Sequence, residues 1–191
     1  MSIPDLILKT KQGLRLPGEP DILPGSDMEL TVTAAALPFT MNFQRLDNWC
    51  WAAVAESISL FYDASSTWTQ CSFANVEFNR DDCCPDNPAC DAQWHLERAL
   101  SSSGNLAQPL TGVISFQQVC GQISINRPLA CRIQWQNGSG HFVVIYAADI
   151  NDPEQWLEIA DSMYEHSSYP YNQFRNSYRG SGRWTHSYFT N

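Results

Sequence analysis

The spacing of apolar residues divides this chain into a helical first half and a strand-rich second half. Val54, Ile58 and Phe61 recur at intervals of four and three residues. Side chains at these intervals lie on one face of a helix. The pattern therefore predicts an amphipathic helix from Trp49 to about Asp63, and its apolar face is expected to pack in the core.

Capping residues mark the ends of the predicted helices. Asp47 or Asn48 is the expected N-cap of the first helix, because short polar side chains accept hydrogen bonds from free backbone N–H groups. Asp91 is the expected cap of a second helix, which would contain His95. The shorter helices are predicted over residues 91–102, 115–123 and 171–179.

Beyond Pro128 the pattern changes to short apolar runs separated by turn residues. The strongest run is His141–Ala148, and Asn151-Asp-Pro forms a turn after it. Strands joined by short turns are typical of an antiparallel sheet. The predicted strands are residues 129–135, 141–148, 155–160 and 183–189. Helices followed by strands indicate an α+β protein.

Residues 1–38 differ from the remainder in their density of proline. Prolines at positions 4, 17, 20, 24 and 38 interrupt any helical periodicity, although an alternation over 30–36 predicts one short strand. We expect two parts: an irregular lead-in over 1–38, acting as an arm or a propeptide, and a single domain over 39–191. A chain of 191 residues is long enough for such a domain to bury its own core.

Composition and charge exclude several classes of partner. Hydrophobic residues make up 43% of the chain and aromatic residues 12%, which indicates a globular protein. The formal net charge of −9 disfavours nucleic acids and anionic membranes as partners. No apolar run approaches the ~20 residues of a membrane span. The first ten residues lack the features of a Sec-type signal, which leaves a cytoplasmic location or export by another route open.

Cysteine usage points to a stapled segment and a free thiol. Seven cysteines are an odd number, so six can pair while one stays free. Four of them lie within 20 residues, at positions 71, 83, 84 and 90. Three arrangements are open for this cluster: disulfides, reduced cysteines in the core, or a zinc site with His95 as an extra ligand. The spacing fits structural zinc poorly and favours disulfides.

The remaining chemistry centres on Cys50, which stands between Trp49 and Trp51 at the start of the first predicted helix. The positive end of a helix dipole and free backbone N–H groups favour a thiolate there. Gln44, six residues earlier, can donate its side-chain amide to an oxyanion. The alternative is a cysteine packed in a tryptophan-rich core.

A cysteine nucleophile needs a base, and the base needs an orienting group. His141 follows a Gly-Ser-Gly loop and opens the strongest strand, while Asp161 ends the next strand. If the two strands are antiparallel neighbours, His141 and Asp161 meet at the same end. The other histidines, at positions 95, 166 and 186, are alternative bases, but none combines a strand-edge position with a matching carboxylate at the end of a neighbouring strand. The alternative for His141 is a sheet-edge side chain without chemistry.

In this arrangement the chain resembles the papain-like cysteine peptidases, and within them the bacterial branch typified by AvrRpt2. The resemblance covers roughly residues 40–191 and rests on Gln44, Trp49-Cys50-Trp51-Ala52, Gly140-His141-Phe142-Val143-Val144, and Asp161 followed by Ser162. The order Gln, Cys, His, Asp is that of the branch, whereas papain has Asn in the last position. The cysteine cluster is absent from papain at this spacing.

The resemblance implies a fold, a reaction and a set of roles. A helical half and an antiparallel sheet would enclose the active-site cleft. Cys50 would be the nucleophile and His141 the base and acid, with Asp161 orienting the histidine and Gln44 donating to the oxyanion. Trp51 and Gly140 would contact the substrate. The expected substrate is a protein or peptide, and neither a cofactor nor a metal is expected.

Two other functions fit the same residues. The triad could carry out a different acyl transfer, such as deamidation, transamidation or leader-peptide processing, since a fold does not determine a substrate. Leader peptidases usually have Cys-Gly where this chain has Cys50-Trp51. Alternatively, the domain could be an inactive binding module that keeps the fold and uses its aromatic residues for recognition.

Overall fold

The computed structural model describes residues 36–191, and within them it has five α-helices. Their bounds are α1 (Cys50–Tyr62), α2 (Gln70–Phe78), α3 (Leu96–Ser102), α4 (Phe116–Ser124) and α5 (Tyr171–Ser177). None of the helices in this part of the chain is long and apolar enough to cross a membrane. The strand predicted over 30–36 lies almost entirely outside the described residues.

Six strands form one antiparallel sheet on which the helices pack. They are β1 (Leu106–Thr111), β2 (Leu129–Gln134), β3 (Gly140–Ala148), β4 (Trp156–Asp161), β5 (Glu165–Pro170) and β6 (Arg183–Thr190). Their order across the sheet is β1-β6-β2-β3-β4-β5, and every neighbouring pair is antiparallel. The predicted α+β class, with a helical first half and an antiparallel sheet in the second, is confirmed.

The two strands that the sequence pattern did not predict are the two edges of the sheet. Strand β1 is almost entirely exposed and contains Pro109, and β5 is mostly polar. An edge strand needs neither apolar alternation nor a complete set of backbone donors, which is why proline is tolerated there. Because apolar and polar residues do not alternate in either segment, the sequence pattern did not predict a strand there.

Two helix starts differ from the prediction. Helix α1 begins at Cys50 with Trp49 as its N-cap residue, and neither Asp47 nor Asn48 caps it. Helix α3 begins at Leu96, with His95 at the N-cap position and outside the helix. Asp91 does not cap α3, because its carboxylate accepts a hydrogen bond from the Asn48 backbone N–H at 2.8 Å and so joins two segments.

The cysteine cluster forms two disulfides, Cys71–Cys84 and Cys83–Cys90. The segment is not only a stapled loop, because Cys71 lies in helix α2. That helix has a capping box, in which Thr69 accepts from the Ser72 N–H and the Ser72 hydroxyl accepts from the Thr69 N–H. Cys50, Cys120 and Cys131 remain as free thiols within the described residues.

Helix α1 is the central element of the helical half. Its first ten residues, from Cys50 to Ser59, are all buried. The helix packs against α2, α3 and strand β3. The core also includes Leu37 and Phe39, and the Leu37 N–H donates to the Tyr146 carbonyl at 2.9 Å. The division of the chain near residue 38 stays a prediction.

The sheet register determines where the site lies. Val143 of β3 is paired with Asp161 of β4, so the beginning of β3 lies beside the end of β4. His141 stands two residues before Val143, at the same end of the sheet. Because β3 also packs against α1, this end of the sheet faces the helix that carries Cys50.

Candidate active site

Cys50 is held at the start of α1 by the packing of its two neighbours. Trp49 and Trp51 are fully buried, and Cys50 is 7% exposed. The indole N–H of Trp49 donates to the Cys90 carbonyl at 2.8 Å, and that of Trp51 donates to the Ala92 carbonyl at 3.0 Å. Cys50 is the first residue of the helix, so its backbone N–H has no hydrogen-bond acceptor within the helix.

We call residues 83–92 the clamp segment, because three hydrogen bonds link it to the residues around Cys50. Two come from the tryptophan indoles, and the third joins the Asn48 N–H to Asp91. The disulfides of Cys83 and Cys84 tie this segment to itself and to α2. The cysteine cluster therefore has a local structural role, which is to fix the position of the free thiol.

His141 and Asp161 form a buried pair, as the strand pattern predicted. Their side chains are 4% and 0% exposed, and His141 Nε2 lies 2.8 Å from Asp161 Oδ1. Cys50 lies close enough to His141 to raise the pKa of the imidazole. Because Nε2 faces Asp161, the other ring nitrogen, Nδ1, is left for the thiol. The structure thus brings Cys50, His141 and Asp161 into one chain of contacts.

The electrostatics of this chain favour a charged imidazole. Burial lowers the pKa of His141, but the hydrogen bonds and charges of Asp161 and Cys50 more than offset it and raise the pKa to about 9. Burial raises the pKa of Asp161, whereas His141 and further hydrogen bonds lower it, with a net decrease. The arrangement stabilises an imidazolium beside the Asp161 carboxylate.

Tyr178 is a part of this site that the sequence reasoning missed. Its hydroxyl donates to Asp161 Oδ2 at 2.7 Å, and its side chain is fully buried. The other oxygen, Oδ1, accepts from the backbone N–H groups of Met163 at 2.8 Å and Tyr164 at 3.2 Å. Both carboxylate oxygens are therefore held in place. No periodicity or motif marked Tyr178, because its role depends on a contact 17 residues away.

Two aromatic rings flank His141. Trp135 stacks on the imidazole with ring centroids 6.3 Å apart, and Tyr164 meets it edge-on at 6.2 Å. Trp135 also stacks against Tyr178, at 6.2 Å. These rings shield the hydrogen bond between His141 and Asp161 from water, which strengthens it by lowering the local dielectric. Sequence reasoning gave Trp135 no role beyond the strand.

Gln44 lies near the site, but its amide is engaged by the backbone. Its Nε2 donates to the carbonyls of Leu46 at 3.0 Å and Asp47 at 2.7 Å. Its Oε1 accepts from the Ser162 hydroxyl at 3.1 Å, and its backbone N–H donates to the Ser162 carbonyl. Gln44 is thus joined both to the loop before Cys50 and to the residue after Asp161. Its role as an oxyanion donor stays a prediction.

A buried polar network supports the segment that carries Gln44. Glu56 of α1 is 6% exposed, and its Oε2 accepts from Asn42 Nδ2 and from Gln70 Nε2, each at 3.0 Å. Gln70 also donates to the Phe43 carbonyl and accepts from the Arg45 N–H, both at 2.9 Å. These bonds satisfy the backbone on both sides of Gln44. They fix its position relative to α1.

A cleft of about 650 Å³ opens beside Cys50. One wall comes from the helical half, through Asn48, Cys50 and the segment before α3. The other comes from the faces of β2, β3 and β6. Of the two residues predicted to bind substrate, Gly140 lines the sheet wall. Trp51 borders the same cavity, although its side chain is completely buried, and its contact with substrate stays a prediction.

One group of metal-ligand type lies within the described residues, formed by Asp82, Cys83 and Cys90. Cys83 and Cys90 are bonded to each other, so neither can supply the thiolate that zinc requires. His95, considered as an extra ligand, is not part of this group; its side chain is 62% exposed and lies 3.5 Å from Glu97. The cluster is therefore explained by its disulfides.

Comparison with known proteins places this geometry in a family. The family model described as "Papain-like cysteine protease AvrRpt2" matches residues 31–179. A search of curated proteins finds no match. Among solved structures, one similar chain is described as a double glycine motif protease from an AMS/PCAT transporter, in complex with the leader peptide. It is 18% identical, with a TM-score of 0.41, over 83% of this chain and 94% of the other. The family match covers most of the chain and includes Cys50, His141 and Asp161, and the chain therefore belongs to the AvrRpt2 family of papain-like cysteine peptidases.

Proposed function

We propose that this peptidase hydrolyses peptide bonds of a protein or peptide substrate through a Cys50–His141–Asp161 triad and an acyl-enzyme intermediate. The observation that carries the proposal is the buried pair of His141 and Asp161, 2.8 Å apart, next to Cys50, which raises the pKa of the imidazole. A nucleophile, a base and an orienting group in contact are the parts that acyl transfer needs.

In the first step the Cys50 thiolate attacks the carbonyl carbon of the scissile bond. The His141 imidazolium then donates its proton to the leaving amine, which departs and leaves a thioester on Cys50. In the second step the neutral imidazole takes a proton from water, and the resulting hydroxide equivalent attacks the thioester. The tetrahedral intermediate then collapses with cleavage of the C–S bond, which releases the acid product and leaves the Cys50 thiolate beside the His141 imidazolium, the starting state.

The oxyanion is expected to form at the N-terminus of α1. The Cys50 backbone N–H has no helical acceptor and is the first donor. The Gln44 amide is the second donor. The Gln44 Nε2 group donates its two hydrogens to the Leu46 and Asp47 carbonyls. When the oxyanion forms, one of these hydrogens would be shared with the oxyanion or would leave its carbonyl for it. The Ser162 hydroxyl keeps Oε1 turned away from the developing charge.

Asp161 keeps His141 charged and oriented. A pKa near 9 means that the imidazolium predominates at neutral pH, so the proton for the leaving amine is in place before the attack. The hydrogen bond at Nε2 also directs Nδ1 towards Cys50. The Tyr178 hydroxyl and the two backbone donors prevent the carboxylate from rotating away.

The experiment is alkylation of the protein with iodoacetamide at mildly acidic pH, followed by peptide mapping. Cys50 is expected to react selectively. The free thiols Cys120 and Cys131 serve as internal controls, because burial raises the pKa of Cys120 to about 11 and raises that of Cys131 as well. Even labelling of all three, or labelling that persists unchanged in Cys50→Ala, would contradict the proposal.

Mass spectrometry of a peptide mixture before and after incubation tests the reaction itself. Peptide-bond cleavage adds the mass of water to the combined products, whereas deamidation changes one peptide by a single dalton. Cleavage in the wild type and none in Cys50→Ala is expected. Deamidation without cleavage would reject hydrolysis of the chain while keeping the triad.

A further inference from the structure

The sheet wall of the cleft is built from three adjacent strands with Arg132 at its centre. The register pairs Arg132 of β2 with Phe142 of β3 on one side and with His186 of β6 on the other. All three side chains line the cavity beside Cys50. Because alternate residues of a strand share a face, Gln134 lies on this wall too, paired with Gly140.

The Arg132 guanidinium lies against Gly140, the residue before His141. A β-carbon built on Gly140 would stand 2.8 Å from Nη2 of Arg132 and 3.1 Å from Cζ. The absence of a side chain at position 140 is therefore what lets the cation occupy this place. The charge therefore lies against the residue that precedes His141.

Arg132 has no carboxylate partner among the residues that the structure describes. Its one side-chain hydrogen bond goes from Nη1 to the Thr185 hydroxyl, at 3.3 Å. A guanidinium carries five donor hydrogens in a fork that matches a carboxylate. Most of these donors remain available to a ligand in the cleft.

Within residues 36–191 no ionisable group of the cleft forms an ion pair with Arg132, although the Glu97 carboxylate on the opposite wall raises the pKa of His186 where Arg132 lowers it. Burial and then the charge of Arg132 lower the pKa of His186, so His186 is neutral at neutral pH. Glu97 belongs to the helical wall, where it lies 3.5 Å from His95 Nδ1 and is 37% exposed. The carboxylate of Glu97 has its own partner and greater contact with water.

We propose that Arg132 makes this enzyme select substrates with an aspartate or glutamate side chain close to the scissile bond. The inference rests on the proposed function, because it assigns the cavity beside Cys50 to the substrate. A side-chain carboxylate would enter the cavity and accept two hydrogen bonds from the guanidinium. Charge-assisted bidentate pairs in a partly dehydrated cleft are strong and directional.

Because the protein is acidic overall, its preference for a carboxylate should be limited to the substrate side chain that reaches Arg132. With a formal net charge of −9, the chain does not attract acidic peptides at long range. The preference should therefore appear as one favoured position in a peptide, and not as a general affinity for acidic sequences. It should weaken as ionic strength rises, because salt screens the pair.

The test compares peptides that differ only by glutamate, glutamine or lysine at each position around the cleavage site. The proteins are the wild type, Arg132→Gln, Arg132→Glu and Arg132→Lys. Arg175→Glu is the matched control, with the same charge change on the exposed face of α5. Cleavage is followed with internally quenched peptides. Binding is followed by fluorescence anisotropy on the same variants in a Cys50→Ala background.

In the wild type one position is expected to favour glutamate over glutamine by about 10- to 100-fold in kcat/KM, the range for hydrogen bonds to charged groups. Arg132→Gln should abolish this ratio, and Arg132→Glu should invert it towards lysine. Arg132→Lys should keep a reduced preference, since it retains the charge without the fork. Arg175→Glu should match the wild type.

The two readouts separate this inference from the proposed function. Efficient cleavage without an acidic preference, or a preference that survives in Arg132→Glu, overturns the selection by Arg132 and leaves the peptidase mechanism intact. Binding that follows the charge at position 132, without cleavage of any peptide, supports the selection and overturns the mechanism. A folded Arg132→Lys variant with no acidic preference also counts against the inference.

Discussion

The substitution Asp161→Asn removes one charge from the site and leaves its geometry in place. The Oδ1 atom of an asparagine can still accept from His141 Nε2 and from the Met163 and Tyr164 N–H groups. Its amide nitrogen would then face the Tyr178 hydroxyl, which can rotate to accept a hydrogen bond. The variant therefore tests the charge of Asp161 separately from its hydrogen bonds.

The size of the effect follows from the pKa of His141. In the wild type this pKa rises from 6.5 to about 9, which corresponds to about 3 kcal/mol in favour of the imidazolium. Without the carboxylate, burial still lowers the pKa, and only Cys50 opposes it. We expect the pKa of His141 to fall by at least about one unit in Asp161→Asn.

The assay is the pH dependence of kcat/KM and of the rate of Cys50 alkylation, measured from acid to alkaline pH. The wild type should lose activity as the pH rises through about 9, because His141 then loses the proton for the leaving amine. In Asp161→Asn the alkaline limb, meaning the loss of activity as the pH rises, should move from about pH 9 towards pH 6.5. At a fixed pH near 8 the variant should be slower by about twofold for a fall of one unit, and by about tenfold if the pKa falls to about 7.

Stability should follow the same titration. A pKa raised by folding contributes stability that is complete below 6.5 and is lost as the pH passes through about 9. The free energy of unfolding of the wild type should therefore decrease over that interval. Asp161→Asn should show little of this decrease.

The matched control is Glu165→Gln. Glu165 is the exposed residue of β5 that pairs with Asp161 in the sheet, and within residues 36–191 His141 forms its ion pair with Asp161 and not with Glu165. The Glu165→Gln variant should leave the alkaline limb unchanged. An unchanged limb in Asp161→Asn, or a wild-type limb near 6.5, would refute the reasoning that Asp161 keeps His141 charged.

Three further predictions concern the supports of the site. Tyr178→Phe should reduce kcat by about tenfold, because it removes a hydrogen bond to a charged group, and it should not shift the alkaline limb. A shift like that of Asp161→Asn would contradict a purely orienting role for Tyr178. Asp91→Ala leaves the Asn48 N–H unpaired and should lower both the melting temperature and kcat/KM; unchanged values in calorimetry and kinetics would reject the clamp segment as a support for Cys50. Opening the seven-residue disulfide by changing Cys83 and Cys90 to serine should lower the free energy of unfolding in urea by about 2 kcal/mol, whereas no loss would show that the loop is ordered without it.

The sequence by itself was sufficient for the elements with a strong apolar period. Helix α1 and strands β2, β3, β4 and β6 are buried on at least one face, so their periodicity carries the information. The same pattern placed His141 and Asp161 at one end of the sheet, because antiparallel neighbours joined by a short turn have few possible registers. That part of the candidate site followed from local rules.

Only the tertiary structure decided the rest, because those features depend on residues far apart in the chain. The edge strands β1 and β5 form through pairing and not through a period of their own. Asp91 joins the loop before Cys50 because a backbone N–H is available 43 residues earlier, and this contact overrides its propensity to cap a helix. Tyr178 reaches Asp161, and Arg132 occupies the space above Gly140, for the same reason. Periodicity records which side of an element is buried, whereas the partners of a polar side chain are determined by the packing of elements against each other.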